Sequence, residues 1–143
     1  MLYYVQLFTI GFYNKPAFTS VCKAWKYGPV FGTIYHKYKR FDKCIIEDND
    51  KIEDIDEELL NVVNSVLKYF GCFSALTLKE FTHDEKPWIE AREREDQIIE
   101  KNEMKKHSES IMKNFLIENI DDIRNYVNFI FTNYCNAYDK NNI

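Results

Sequence analysis

The chain has 143 residues, 45% of them hydrophobic and 16% aromatic, with 10 Tyr, 11 Phe and a formal charge of −4. That length is one domain's worth and that apolar share supports one core, so the chain is expected to be a single domain over 1–143. The negative balance argues against a nucleic-acid binder, which needs a positive footprint.

Only 4 Gly and 3 Pro break the chain, which suits a mainly α, compact helical bundle. Four cysteines (Cys22, Cys44, Cys72, Cys135) are scattered with no close pair, as expected of reduced thiols in a cytoplasmic protein. The apolar start lacks a basic n-region and a small-residue cleavage site, and no apolar run is long enough to span a bilayer. A soluble, unexported chain is the expectation.

In chain order, Leu2, Val5, Phe8 or Thr9, and Phe12 fall on one face of a helix over residues 2–13. Gly11 weakens its end, and Asn14-Lys15-Pro16 stops it. Residues 20–26 are predicted extended. Gly28-Pro29 then punctuates the chain, with Pro29 predicted in the first turn of a helix that runs to about Arg40. Ile34, Tyr38 and Phe41 would form its apolar stripe.

Residues 42–53 are polar and acidic, with Ile45-Ile46 as an apolar island. That island makes 44–47 a candidate strand partner for 20–24. Asp54 with Glu57 has the spacing of a loose capping box. The helix it would open carries Ile55, Leu59, Val62 or Val63, Val66 and Phe70, the cleanest amphipathic pattern in the chain. Gly71 is predicted to end it in the left-handed conformation. Ser74 caps a short helix that buries Leu78 and Phe81 and ends at His83, and Pro87-Trp88 begin another helical turn. From Glu90 to Lys106 the chain is dense in charge, with Ile98, Ile99 and Met104 as its main anchors, so solvated helix and mobile loop both stand as readings. The last element runs from about Asn119 to Tyr138, with a seam of Ile120, Ile123, Val127, Ile130 and Tyr134.

Chemical motifs are sparse. His36, His83 and His107 lie far apart in sequence with no cysteine pair beside them, which argues against a zinc site; no metal and no cofactor is expected. Cys72 and His83 could meet across one short helix as a nucleophile and base, but neither sits in a recognisable catalytic signature. Gly28-Pro29 has too few glycines and one N–H too few for a phosphate loop. The run Tyr35, His36, Lys37, Tyr38, Lys39, Arg40 interleaves aromatics and cations, as single-strand binders do. A half-buried helix with cations near its C-terminus explains the same run. His83 is read as a turn-holding imidazole, bonding backbone and fixed by Thr82 and Trp88, in preference to an acid–base group.

Three blocks in order carry a resemblance: Leu2-Tyr3-Tyr4-Val5-Gln6; Ala24-Trp25-Lys26-Tyr27-Gly28-Pro29-Val30 with Tyr35-His36-Lys37-Tyr38; and Phe73-Ser74-Ala75 with Leu78, Thr82-His83, Glu85 and Pro87-Trp88. Together they resemble the Panacea antitoxin family, which includes SocA-like antitoxins and phage-associated GepA-type proteins. The resemblance spans roughly residues 2–92. It implies a compact, mostly helical domain that acts as the antitoxin of a toxin–antitoxin system. It implies neutralisation of a partner toxin by direct protein–protein contact, without enzymatic turnover. One SocA-type relative also acts as a proteolytic adaptor to a ClpXP-type protease, so that role is the alternative, with a small hydrolase using Cys72 and His83 behind it. Trp25, Tyr27, Gly28, Pro29, Tyr35, Thr82, His83, Pro87 and Trp88 carry the match and are expected to be mainly structural. Tyr35, Lys37, Tyr38, Lys39 and Arg40 are the candidate partner-binding residues. The chain departs from the pattern twice. Family members usually carry a further helix and turn ahead of the first block, where this sequence has Met1, and the C-terminal helix from Asn119 does not align with the family core. That helix is therefore expected to pack on the core, with the first helix as a candidate neighbour, and to replace the missing element.

Overall fold

The computed structural model describes residues 1–42, 44–47 and 54–140. Among them the chain is mainly α-helical, with a small antiparallel sheet of order β2-β1-β3. The element order is α1 (Leu2–Tyr13), β1 (Cys22–Trp25), β2 (Gly28–Phe31), α2 (Gly32–Tyr38) and a 3₁₀ turn (Lys39–Phe41), then α3 (Glu57–Phe70), α4 (Ala75–His83), α5 (Lys86–Arg92), β3 (Ile98–Ile99), α6 (Lys101–Asn114), a second 3₁₀ turn (Ile120–Asp122) and α7 (Ile123–Lys140).

α1 is the centre of the core. Its residues Tyr3 to Ile10 are all buried, so the one-faced helix expected from the sequence is instead covered all round. A helix apolar on every side belongs inside a protein. α3 and α6 flank it, and β2 also touches it. Gln6, its buried amide, donates Nε2 to the Phe18 carbonyl at 3.1 Å and accepts the Phe18 N–H at 2.9 Å. Those two bonds close the 14–21 loop over the helix. Asn14 ends α1 in the left-handed region, as the Asn-Lys-Pro stop suggested.

The sheet corrects two expectations. Gly28-Pro29 does not open a helix: Gly28–Phe31 is a strand, and the helix waits until Gly32. Lys26-Tyr27 form the tip of a hairpin in which Trp25 faces Gly28 and Cys22 faces Phe31. Gly28 has φ +108°, a conformation open to glycine. Pro29 is tolerated because β2 lies at the sheet's edge, where a missing N–H breaks no ladder. The strand expected at 44–47 does not form either, and Ile45 stands 85% exposed. β1 has two edges; β2 takes one and Ile98-Ile99 takes the other, with the Ala24 N–H also bonding the Gln97 carbonyl at 2.8 Å. The remainder of the acidic segment, residues 43 and 48–53, lies outside the described residues.

The α3 pattern holds, with Val62, Val66 and Phe70 buried. Its cap is Asp56, not Asp54; the Asp56 carboxylate accepts the Leu59 N–H at 2.8 Å. Gly71 ends the helix in the right-handed region, not the left-handed one. Ser74 caps α4 as expected, and α4 ends at His83. The charged stretch after Glu90 finishes α5, supplies β3 and opens α6. Arg94 forks onto Glu103 with two 2.8 Å bonds and also donates to the Ile98 carbonyl, which fixes β3 against the start of α6. Met104, Ser108 and Ile111 then turn α6 inward onto α1.

α7 packs mainly on α3 and α4. The Tyr134 ring meets Phe81 edge-on at 5.8 Å, and Phe131 lies 5.2 Å from Phe73. It reaches α1 through Tyr126, whose ring stands edge-on to Phe8 at 6.5 Å. The main cover of α1 is α6, so the neighbour expected for α7 is largely supplied by another helix. No single helix among the described residues is long and apolar enough to cross a membrane.

At Gly11, α1 and α6 pack closely. A Cβ there would lie 1.8 Å from the Ser108 hydroxyl oxygen and 3.0 Å from its Cβ. Gly11→Ala should therefore destabilise by about 1–3 kcal/mol through overpacking, despite alanine's better helix propensity. Urea melts check this, and Ser108→Gly in the same chain should recover part of the loss.

Candidate functional site

The α4–α5 junction carries the most unusual chemistry in the molecule. Glu85 ends the short link after His83 and precedes the Pro87-containing first turn of α5. Its side chain does not cap α5 but turns inward, and the residue is 3% exposed. Burying a carboxylate costs several kcal/mol unless donors replace the lost water. Two phenols do so. Tyr3 donates to Glu85 Oε2 at 2.6 Å, and Tyr126 donates to Oε1 at 2.7 Å. His107 Nε2 lies 3.3 Å from Oε2, at ion-pair distance but without hydrogen-bond geometry. Tyr4 lies edge-on to Tyr3 and stacks on Phe70 at 4.1 Å; its hydroxyl makes no hydrogen bond. Burial first, and the Glu85 charge second, push the phenols of Tyr3, Tyr4 and Tyr126 well above the usual tyrosine range.

The other residues singled out in the sequence gather around β1. Trp88 Nε1 donates to the Trp25 carbonyl at 3.2 Å, and Arg92 donates to the Ala24 carbonyl at 3.1 Å, which ties α5 to β1. His83 stacks flat on Trp88 with centroids 3.8 Å apart. Its Nε2 is buried without a hydrogen bond, so stacking, not the expected bond to backbone, holds that ring. Burial lowers the His83 pKa, and the Lys79 charge lowers it further, which favours the neutral imidazole. Thr82 is buried, donates to the Lys79 carbonyl at 2.8 Å, and sits 3.3 Å from where a Cβ on Gly28 would stand. Pro87 is buried. The three sequence blocks thus meet in space, through Tyr3 with Glu85, Trp25 with Trp88, and Gly28 with Thr82.

The hairpin's other side is open. Trp25 is half-buried, with Tyr35 edge-on to its ring at 5.1 Å. Tyr27 stands 73% exposed at the tip, with Lys26 over its ring, and Tyr35 is 45% exposed. None of the α2 residues is buried, so the expected apolar stripe does not reach the core. Lys37 lies over Tyr38 and Arg40 over Phe41. Among the described residues Lys23, Lys26, Lys39 and Arg40 enter no ion pair. The first 41 residues hold six Lys and Arg and no Asp or Glu, so this face is basic although the chain is acidic. A shallow cleft of about 250 Å³ lies beside Trp25, between Val21, Val30 and Thr33.

The Cys72–His83 pair does not assemble. Cys72 is exposed after α3, with its Sγ facing the Tyr69 carbonyl at 3.9 Å. His83 sits at the far end of the nine-residue α4, about 13 Å of helix away. Burial pushes the Cys22 thiol up to about 12, which leaves it a packing group. Among the described residues no three His, Cys, Asp or Glu side chains stand close enough together to hold a metal ion. Sequence reasoning weighed His83 and passed over Glu85, Tyr3, Tyr126 and His107. Glu85 stood inside the third block beside a helix-opening proline. Nothing local marks Tyr126 or His107 as its neighbours.

The molecule is thus a helical domain knotted around a buried acid, with an aromatic, basic hairpin on its outside. Residues 1–89 match the family model described as antitoxin SocA-like, Panacea domain, and the chain belongs to that family. The family suggests an antitoxin role, with a partner toxin in general. No curated protein and no solved structure matches the chain.

The raised phenols set the direction of an alkaline response. Below about pH 10 all three are protonated in both folded and unfolded chains, and their contribution is fully present. Above it the unfolded chain releases protons that the fold retains, so stability falls as pH rises. Urea melts should show stability falling progressively as pH rises above about 10, and Tyr126→Phe should flatten that dependence. A flat profile in the wild-type chain would contradict the burial of these hydroxyls.

Proposed function

We propose that this protein is the antitoxin of a toxin–antitoxin pair, that it neutralises its toxin by stoichiometric contact without turnover, and that the hairpin and α2 form the contact face. The reading is supported by one observation above the rest. The second block, within the family match, splits its residues between two duties. Ala24 and Gly28 face inward and are buried, whereas Trp25, Tyr27 and the adjoining Tyr35 line the outside. Scaffolding accounts for the first group. It does not account for a 73% exposed tyrosine at a hairpin tip. Tyr, Trp and Arg are the residues that dominate protein interfaces, because they bury large area with a polar handle.

The whole chain, 1–143, acts as one domain in this reading, because α6 and α7 supply core contacts to the family-matched part. The cations around the aromatic face favour a partner with an acidic surface, and they would speed encounter more than they add affinity. The working site is the cytoplasm, where a toxin would meet it. Delivery of the toxin to a ClpXP-type protease would use the same contact and would differ in one readout, a shortened toxin half-life.

Co-expression with the product of a neighbouring reading frame that arrests growth when expressed alone tests the proposal. The double variant Tyr27→Ala, Tyr35→Ala should melt within about 1.5 kcal/mol of wild type, since Tyr27 is largely exposed and Tyr35 gives up chiefly its edge-on contact with Trp25. It should bind the toxin at least about tenfold more weakly and fail to restore growth. Full rescue by that variant would move the contact to another face. Rescue by strongly substoichiometric antitoxin, without a protease, would argue for catalysis.

A further inference from the structure

A cleft of about 410 Å³ opens over Glu85, between the α4–α5 junction, α6 and α7. Its chemistry is one-sided. Glu85 and Asp84 both line it, and among the described residues no lysine or arginine does. One wall is aromatic: Phe115 lies 5.3 Å from Tyr126 and 4.9 Å from Phe129, with Phe129 half-exposed at the rim. Asn114 and Asn133 add side-chain amides, and Ile111 and Ile130 add apolar surface.

The hydrogen-bond inventory on the floor is incomplete. A carboxylate accepts about four bonds. Glu85 accepts two, one on each oxygen, and Tyr126, the donor to Oε1, itself lines the cleft. His107 Nε2 is buried beside Oε2 and makes no hydrogen bond. The titratable groups that face the space are Asp84, Glu85, His107 and Tyr126. A buried acceptor with spare capacity, a second carboxylate at the mouth and an aromatic wall share one complement. It is a cation that donates several N–H bonds and carries an apolar stem. Charge-assisted bonds would hold its head, and the ring faces would hold both the charge and the methylenes.

We infer that this cleft is a binding site for an alkyl guanidinium or alkyl ammonium group, with Glu85 and Asp84 holding the charge and Phe115, Tyr126 and Phe129 holding the stem. Asp84 is exposed at the end of α4; its backbone N–H caps the helix on the Thr82 carbonyl, while its carboxylate enters no hydrogen bond or ion pair among the described residues and so faces the cleft unengaged. The site lies on different elements from the hairpin face and stands independently of it.

The test titrates the intact protein with N-acetyl-arginine amide, N-acetyl-lysine amide and spermidine, and with N-acetyl-citrulline amide as the uncharged control, followed by amide and side-chain NMR shifts. At least one cation should shift resonances of Asp84, His107 and Tyr126 and bind about tenfold or more tightly than citrulline amide. Preference for the blocked amino acids would assign the site to a partner's side chain, and preference for spermidine to a free polyamine. Asp84→Asn, which removes one charge without touching a buried contact, should weaken binding several-fold. Equal binding of the citrulline control, shifts that map elsewhere, or an unchanged affinity in Asp84→Asn would each overturn the proposal.

Discussion

Everything in this fold is arranged around a carboxylate that should not be comfortable where it is. Glu85 is almost fully buried and its charge is met by two phenols and a nearby imidazole. The two phenols donate from different helices, Tyr3 from α1 and Tyr126 from α7, and the His107 imidazole stands beside the acid from α6. Ionised acceptors make hydrogen bonds about twice as strong as neutral ones, so the acid is a strong tie once its donors are in place. The same burial makes it costly when any donor is withdrawn. The interaction therefore acts less as added stability than as a demand. The central helix, the α4–α5 junction and both C-terminal helices must arrive together.

That demand ties together the three blocks read from the sequence. Tyr3 and Glu85 stand in the first and third blocks and bond each other across 82 positions. Gln6 closes the loop after α1, and Trp88 binds the β1 backbone carbonyl of Trp25. These contacts are specific because they join side chains to one another or to backbone in a fixed geometry. The apolar packing around them tolerates more variation. The C-terminal helices lie outside residues 1–89, yet they complete the acid's shell with Tyr126 and His107. The family-matched segment alone would leave Glu85 with one phenol.

Helices with one apolar face were legible in the sequence. α3, α4 and α7 lie close to where the 3.6-residue pattern placed them, because burial on one side leaves a periodic trace. α1 misled for the opposite reason: covered on all sides, it has no polar face to report its direction. The Gly28-Pro29 pair supports two local readings, a helix start and an edge strand. The choice falls to long-range pairing with β1 that no local pattern contains. β3 is two residues long and exists because β1 had a free edge. The site was harder still. His83 drew attention as a titratable residue in a motif, yet it serves by stacking on Trp88. Tyr126 and His107 reach Glu85 only through the packing of α6 and α7, which spacing along the chain does not encode.

The central claim is that the Glu85 carboxylate, through its two phenols, holds α1 and α7 to the α4–α5 junction. The direct measurement is the unfolding free energy of Glu85→Ala, in wild type and in a Tyr3→Phe, Tyr126→Phe background. The account predicts a loss of about 3–5 kcal/mol in wild type, since two buried hydroxyls lose their acceptor, and a clearly smaller loss once those hydroxyls are gone. Equal losses in both backgrounds, or a Glu85→Ala chain within about 0.5 kcal/mol of wild type, would contradict it.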